Sequence, residues 1–205
     1  MKSRLFIATM LALLIGLFAV IPVAFAAGTN LDWAPFDCAK WVNGAGTNGT
    51  YGLVTTSNAS NCPDGGLNLK VVPSNIANPN NIYALSFDFN PNQTGPSVGS
   101  PRMVILFSDN GNADLRPLTW TANTWTHLDG MVGNNWDNSG GSCGYSYGIT
   151  WTAVKACHSG ATITAIYVVN DSGYSGGPYP NGEQVTLDNI TVNNITATGP
   201  NNNTH

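Results

Sequence analysis

The chain has 205 residues, of which 42% are apolar and only 9% charged, and its formal net charge is −4. A balance this mildly acidic, with no run of Lys or Arg, argues against a nucleic-acid or anionic-membrane partner. The length fits one domain large enough to bury a core, with Asn, Thr, Ser and Gly carrying the surface in place of charge.

Residues 1–26 read as a signal peptide: Lys2 and Arg4 are followed by an apolar stretch from Leu5 to Val20, then Pro22 and the small-residue signal Ala24-Phe25-Ala26. No later apolar stretch reaches the roughly 20 residues that span a bilayer. A single domain is expected over 27–197, with a polar, disordered tail at 198–205. Trp33, Phe36 and Trp41, grouped around Cys38, read as an aromatic cap over one end of the core. Strands are expected at Thr50–Thr55, Leu67–Val71 and Tyr83–Phe89, where apolar and polar residues alternate. The run Met103–Phe107 has no polar face and is bounded by Pro101 and by Asn110-Gly111. It reads as a central strand, with Asp109–Asn112 as a hairpin turn. A return strand follows over Leu115–Trp120, expected at an edge because Pro117 cannot donate to a ladder. Trp125–Asp129 forms another strand, and Gly133–Gly144 reads as a long loop. Thr150–His158 is the one predicted helix, with Trp151, Val154 and Cys157 on one face. Thr162–Val169 and Gln184–Val192 are the last strands, separated by a loop carrying Tyr174 and Tyr179.

Cys38, Cys62, Cys143 and Cys157 make an even set in an exported chain, so two disulfides are expected. Three connectivities are open. The pairing 38–62 with 143–157 closes the two most local loops, each bridge contributing about 3 kcal/mol in the loop-entropy picture. No C-x-x-C or H-x-x-x-H spacing offers a zinc site.

Some eight or nine short strands with one short helix define an all-β class, an antiparallel β-sandwich. The succession LSFDFN, SPRMVILFSD, ITAIYVVND and VTLDNITV resembles the jelly-roll sandwiches of carbohydrate-binding modules attached to secreted polysaccharide-degrading enzymes. The resemblance covers most of Asn81–Val192. It implies a jelly roll and a glycan ligand. In that family the Asp of the closing strand often helps hold a structural calcium, which here falls on Asp188. The family's N-terminal Glu partner is missing, with only Asp32 and Asp37 to stand in for it.

Other constellations carry less. Gly140-Gly141-Ser142-Cys143-Gly144 matches G-x-S-x-G but lacks a preceding buried strand. No Asp pair, and not Glu183, stands out for glycoside hydrolysis. Asp109–Asp114 resembles the front half of a calcium loop but lacks the later Glu, and the hairpin turn explains the same residues without an ion. His127 and His158 are singletons best placed in packing or surface hydrogen bonds. Sequons occur at Asn48, Asn58, Asn92, Asn170, Asn189, Asn194 and Asn202.

Trp136, Tyr145, Tyr147, Tyr174 and Tyr179 stand in Gly- and Asn-rich loops, outside the alternating positions. Sugars stack their C–H faces on such rings, so Trp136, Tyr147, Tyr174 and Tyr179 are the expected stacking residues. Asp137 and Asn138 are the expected hydrogen-bonding ones. The expected function is that of a secreted, non-catalytic, monomeric glycan-binding module without a redox cofactor. Its alternatives are an adhesion scaffold without a sugar ligand and, third, a small secreted hydrolase.

Overall fold

A computed structural model describes residues 31–57, 62–92, 95–96, 100–171 and 183–200. The leader, the sequons at Asn58 and Asn202, and Tyr174 and Tyr179 lie outside the described residues.

The alternation of side chains builds two antiparallel sheets packed face to face. One contains β1 (Trp33–Asp37), β4 (Asp64–Leu69), β7 (Arg102–Phe107), β8 (Asn112–Leu115), β11 (Trp136–Ser139), β12 (Ser146–Ile149) and β13 (Ile163–Asp171). Their order is β1-β4-β13-β7-β8-β11-β12. The other contains β2 (Ala39–Asn43), β3 (Tyr51–Ser57), β5 (Leu85–Pro91), β10 (Thr126–Asp129) and β14 (Glu183–Val192), in the order β10-β5-β14-β3-β2. A final strand, β15 (Ile195–Ala197), pairs with β14, and a small ribbon joins β6 (Gly95–Pro96) to β9 (Thr119–Trp120). Insertion of β13 between β4 and β7, and of β14 between β5 and β3, gives the crossovers of a jelly-roll sandwich.

The core lies between the sheets. Leu67, Leu69, Met103, Ile105, Ile166 and Val168 from one sheet face Leu53, Leu85, Phe87, Phe89, Val185 and Leu187 from the other, and all twelve are buried. Removing such side chains from water contributes about 1.5–3 kcal/mol each. β7 is the fourth of seven strands, the centre of its sheet. Its outward Val104 is also buried, so the absence of a polar face in Met103–Phe107 has its structural reason.

Several boundaries differ from the sequence-based expectation. Residues 33–43 form β1 and β2 rather than a cap, and the chain changes sheets at Cys38. The Cys38–Cys62 disulfide ties that crossing. The return strand stops at Leu115 and sits between β7 and β11, so it is not an edge strand. Residues 133–144 contain β11, because Trp136 and Asn138 alternate inward while Asp137 and Ser139 face outward. The helix runs Trp151–Cys157, capped by the Thr150 hydroxyl accepting from the Ala153 amide at 3.2 Å.

The second disulfide, Cys143–Cys157, closes one end of the sandwich beside a buried polar knot. There His158 stacks on Phe107, ring centroids 3.9 Å apart. Its Nδ1 lies 2.9 Å from Asp109 Oδ2, and its Nε2 lies 2.8 Å from Asn138 Oδ1. The Asn138 amide donates to Gly140 O and Gly144 O at 3.2 and 3.0 Å. The Asp109–Asn112 turn forms, with Asn110 at φ 64° and the Gly111 amide bonded to Asp109 Oδ1. Partial desolvation pushes the Asp109 carboxyl up, but hydrogen bonds from His158 and Gly111 and the His158 charge outweigh it and hold it below the ordinary 3.8.

A depressed carboxyl stabilises the fold fully above its unfolded value, and that contribution is lost as pH falls through the lower folded value. Acid melts monitored by near-ultraviolet circular dichroism are therefore expected to show a drop in Tm below about pH 4 that is shallower in Asp109→Asn. Equal slopes would show that the Asp109–His158 contact contributes nothing.

Candidate functional site

The inward alternation of the seven-stranded sheet has an outward counterpart. Cα register places Asn68 beside Tyr167, Tyr167 beside Val104, Val104 beside Asp114, and Asp114 beside Asp137. One row of side chains thus crosses five strands on the outer face. A groove of about 450 Å³ opens over its β1–β4–β13–β7 end, lined by Phe36, Asp64, Asn68, Arg102, Tyr167, Val169 and Asp171.

Two rings form its apolar wall. Phe36 and Tyr167 meet edge to face, with centroids 6.5 Å apart and planes at 84°. Phe36 can lie against the sheet because Gly66 is its register partner. A Cβ on Gly66 would come within 2.8 Å of Phe36 Cζ and would collide with the Val168 carbonyl.

The polar wall is fixed by charge. Arg102 donates to both oxygens of Asp171, Nη1 to Oδ1 at 2.8 Å and Nη2 to Oδ2 at 2.6 Å, while its Nε side faces Asp114 at 3.9 Å. Such bidentate pairing fixes both planes. Burial pushes the Arg102 guanidinium down, yet its bonds to Asp171 and the charges of Asp171 and Asp114 outweigh this and raise it. Desolvation raises the Asp114 carboxyl in spite of Arg102 and Asn112. Asp64 is also raised, by desolvation, by a hydrogen bond with Asp37, and by the charges of Asp37 and Asp171. Desolvation and the charge of Asp114 raise the Tyr167 phenol. At the floor, Asn68 Oδ1 is shielded from solvent and has no hydrogen-bond partner among the described residues.

The expected ligand residues fare differently. Trp136 is a correction: it is 0% exposed, tilts against Trp151 at 5.0 Å, and donates from Nε1 to Gly130 O at 2.6 Å. It fills the core and cannot stack on a ligand. Asn138 is likewise buried in the His158 knot, with both amide ends engaged. Asp137 is half-buried, ion-paired with Arg116, and accepts from the Gly148 amide at 3.1 Å. Tyr147 and Tyr145 stand on the surface, 72% and 78% exposed. Tyr174 and Tyr179 lie outside the described residues, and the described part of β13 ends at Asp171. The Gly140–Gly144 segment forms a 3-10 turn with Cys143 oxidised and Ser142 Oγ donating to Cys157 O at 3.1 Å, not a nucleophile elbow.

Asp188 is 1% exposed and joins β14 to the turn before β3. Its Oδ2 accepts from the Thr47 amide at 2.8 Å, the Thr47 hydroxyl at 2.7 Å and the Thr50 hydroxyl at 3.2 Å. A Cβ added at Gly46 would collide with Tyr51 O and come within 2.6 Å of Thr50 Oγ1 and 2.7 Å of Asp188 Oδ2, so these three oxygens crowd one point. Asp32 and Asp37 do not join them. Asp32 pairs with Lys70 at 3.1 Å, and Asp37 lies beside Asp64. Among the described residues no three His, Cys, Asp or Glu side chains group as a metal site.

Sequence reasoning passed over Phe36, Asn68, Arg102 and Tyr167. Each occupies an outward position of a strand, and what joins them is pairing register.

The fold and this face define an antiparallel β-sandwich with an aromatic and polar groove on one outer sheet. No family model matches the chain, and no curated protein matches it. Among solved structures, one described as an exo-β-agarase aligns over 85% of this chain at 14% identity with a TM-score of 0.40. This chain spans only 24% of that structure's length, and a likeness at this level carries no argument. Among the described residues no helix is long and apolar enough to cross a membrane.

The burial of Trp136 has a direct consequence. Trp136→Ala is expected to lower unfolding free energy by about 3–5 kcal/mol in denaturant melts. Loss of less than about 1 kcal/mol would be incompatible with a core position.

Proposed function

We propose that this chain is a secreted, non-catalytic glycan-binding sandwich that holds sugar in the outer-face groove against Phe36 and Tyr167. The observation that carries the reading is the meeting of these two rings in one concavity with the fixed Arg102–Asp171 pair and Asp64 on its walls. Sugar rings offer flat C–H surfaces to aromatic rings and hydroxyl hydrogens to acceptors. A site with an apolar wall and a few fixed polar groups therefore matches both. Of the two carboxyls that line the groove Asp171 is committed to Arg102, which leaves Asp64 alone where glycoside hydrolysis needs a pair, and this favours recognition over acid–base chemistry. Two disulfides fit an oxidising compartment. Tyr147 remains a candidate for an outlying contact at the far edge of the same sheet.

Affinity electrophoresis through gels containing single polysaccharides tests this. At least one polymer is expected to retard the chain. Tyr167→Ala and Phe36→Ala should each weaken that retardation about tenfold or more, without loss of the folded circular dichroism spectrum. Full retardation after removal of both rings would dismiss the groove as the site.

The oxygens around Asp188 also fit a structural calcium, with Asp188, Thr47 Oγ1, Thr50 Oγ1 and Tyr51 O as its donors. When bound, the ion would brace the turn before β3 against β14. A millimolar excess of calcium over chelator is expected to raise Tm by several degrees in the native chain and not in Asp188→Asn. An identical Tm with and without calcium removes the ion.

A further inference from the structure

The hydrogen bonds of the buried knot at the sandwich end determine where its protons sit. Asn138 Nδ2 donates to Gly140 O at 3.2 Å and to Gly144 O at 3.0 Å, so Oδ1 is the atom that faces His158 Nε2 at 2.8 Å. An amide oxygen only accepts, which puts a hydrogen on Nε2. On the other side of the ring, Nδ1 lies 2.9 Å from Asp109 Oδ2. The Asp109 carboxyl is held below the ordinary 3.8, so at neutral pH it is ionised and it too only accepts. Nδ1 therefore carries a hydrogen as well. A ring with both nitrogens protonated is an imidazolium, here with its side chain 0% exposed. It lies flat on the Phe107 ring, the planes 11° apart, where a cation is attracted by the aromatic face. Two glycines make room for it. A Cβ on Gly111 would collide with His158 Cε1, and one on Gly141 would come within 2.8 Å of Nδ1.

No neutral ring satisfies the same partners. With Nδ1 bare, its lone pair faces a carboxylate; with Nε2 bare, it faces Asn138 Oδ1. Turning the Asn138 amide over would mend the second contact but aim Oδ1 at two glycine carbonyls. We propose that His158 is a proton-held clasp: with both ring hydrogens it seats Asn138 and the 140–144 turn, and loss of one hydrogen loosens that turn and the Tyr145–Tyr147 segment behind it. The surrounding charges are few. Asp109, in the turn after β7, is the opposite charge, and Lys155, on the helix, is the like charge that lines a surface groove together with His158. Asp114 on β8 and Asp137 on β11 face the outer side of the sheet, engaged by Asn112 and Arg116. Residues 140–145 carry no charge. The Cys143–Cys157 bridge and the bond from Ser142 Oγ to Cys157 O keep the loosened turn tethered. Because the folded form holds the proton, the clasp's contribution is present at lower pH and lost as pH rises through the titration of the ring.

The test follows the native chain, labelled with nitrogen-15, by nuclear magnetic resonance, the His158 ring being assigned through its contacts with Phe107. At about pH 5 both ring nitrogens are expected to show the protonated shift. As pH is raised to about 9, amide protection over β12, taken relative to the intrinsic exchange rate at each pH, is expected to be lost in step with the ring proton. In Asp109→Asn both events should move together to lower pH, because the opposite charge is gone. An unprotonated ring nitrogen at about pH 5 would overturn the imidazolium assignment. A ring that titrates while β12 keeps its protection, or one that keeps both hydrogens to about pH 9, would overturn the clasp.

Discussion

Tyr167 stands opposite Asn68 on one side and Val104 on the other. With that register set, Ile166 and Val168 must point into the sandwich beside Leu67, Met103 and Ile105. A slip of one residue would exchange the faces. It would expose a run of aliphatic side chains and bury Tyr167, Arg102 and Asp171. The hydrophobic gain on the inner face therefore determines what the outer face displays. Groove and core are two consequences of one pairing.

The outer face is held as firmly as the inner, by different means. Arg102 and Asp171 lock their planes by two parallel hydrogen bonds, and Arg116 holds Asp137 through its Nε further along the sheet. Neither pair is fully buried, so each is worth less than the core contacts. Their contribution is to fix geometry, so that the side chains lining the groove are ordered. At the sandwich end, the His158 knot and the Cys143–Cys157 bridge secure the segment that carries Tyr145 and Tyr147.

Where the sequence could be read correctly, the physics was local. Met103–Phe107 has no polar residue and lies at the middle of its sheet. The two most local cysteine pairings are the ones that form. Trp136 was misplaced because Asn134, Asn135 and Asn138 around it carry the composition of a loop. Asn138 is buried only because His158, from a distant part of the chain, and two glycine carbonyls satisfy it. The groove failed to show for a related reason. Phe36, Asn68, Arg102 and Tyr167 come from four strands, and nothing in their own neighbourhoods marks them as partners. Only the strand order β1-β4-β13-β7 makes them neighbours.

The proposed ligand recognition by the outer face of the seven-stranded sheet can be tested without assuming which residue matters. Backbone amide shifts followed by nuclear magnetic resonance, during titration with an oligosaccharide from whichever polymer retards the chain, report the contact surface directly. The account predicts changes centred on residues 36, 64–68, 102 and 167–171, with the opposite sheet silent. Changes confined to the β2–β3–β14 face, or to the Tyr145–Tyr147 segment alone, would contradict it.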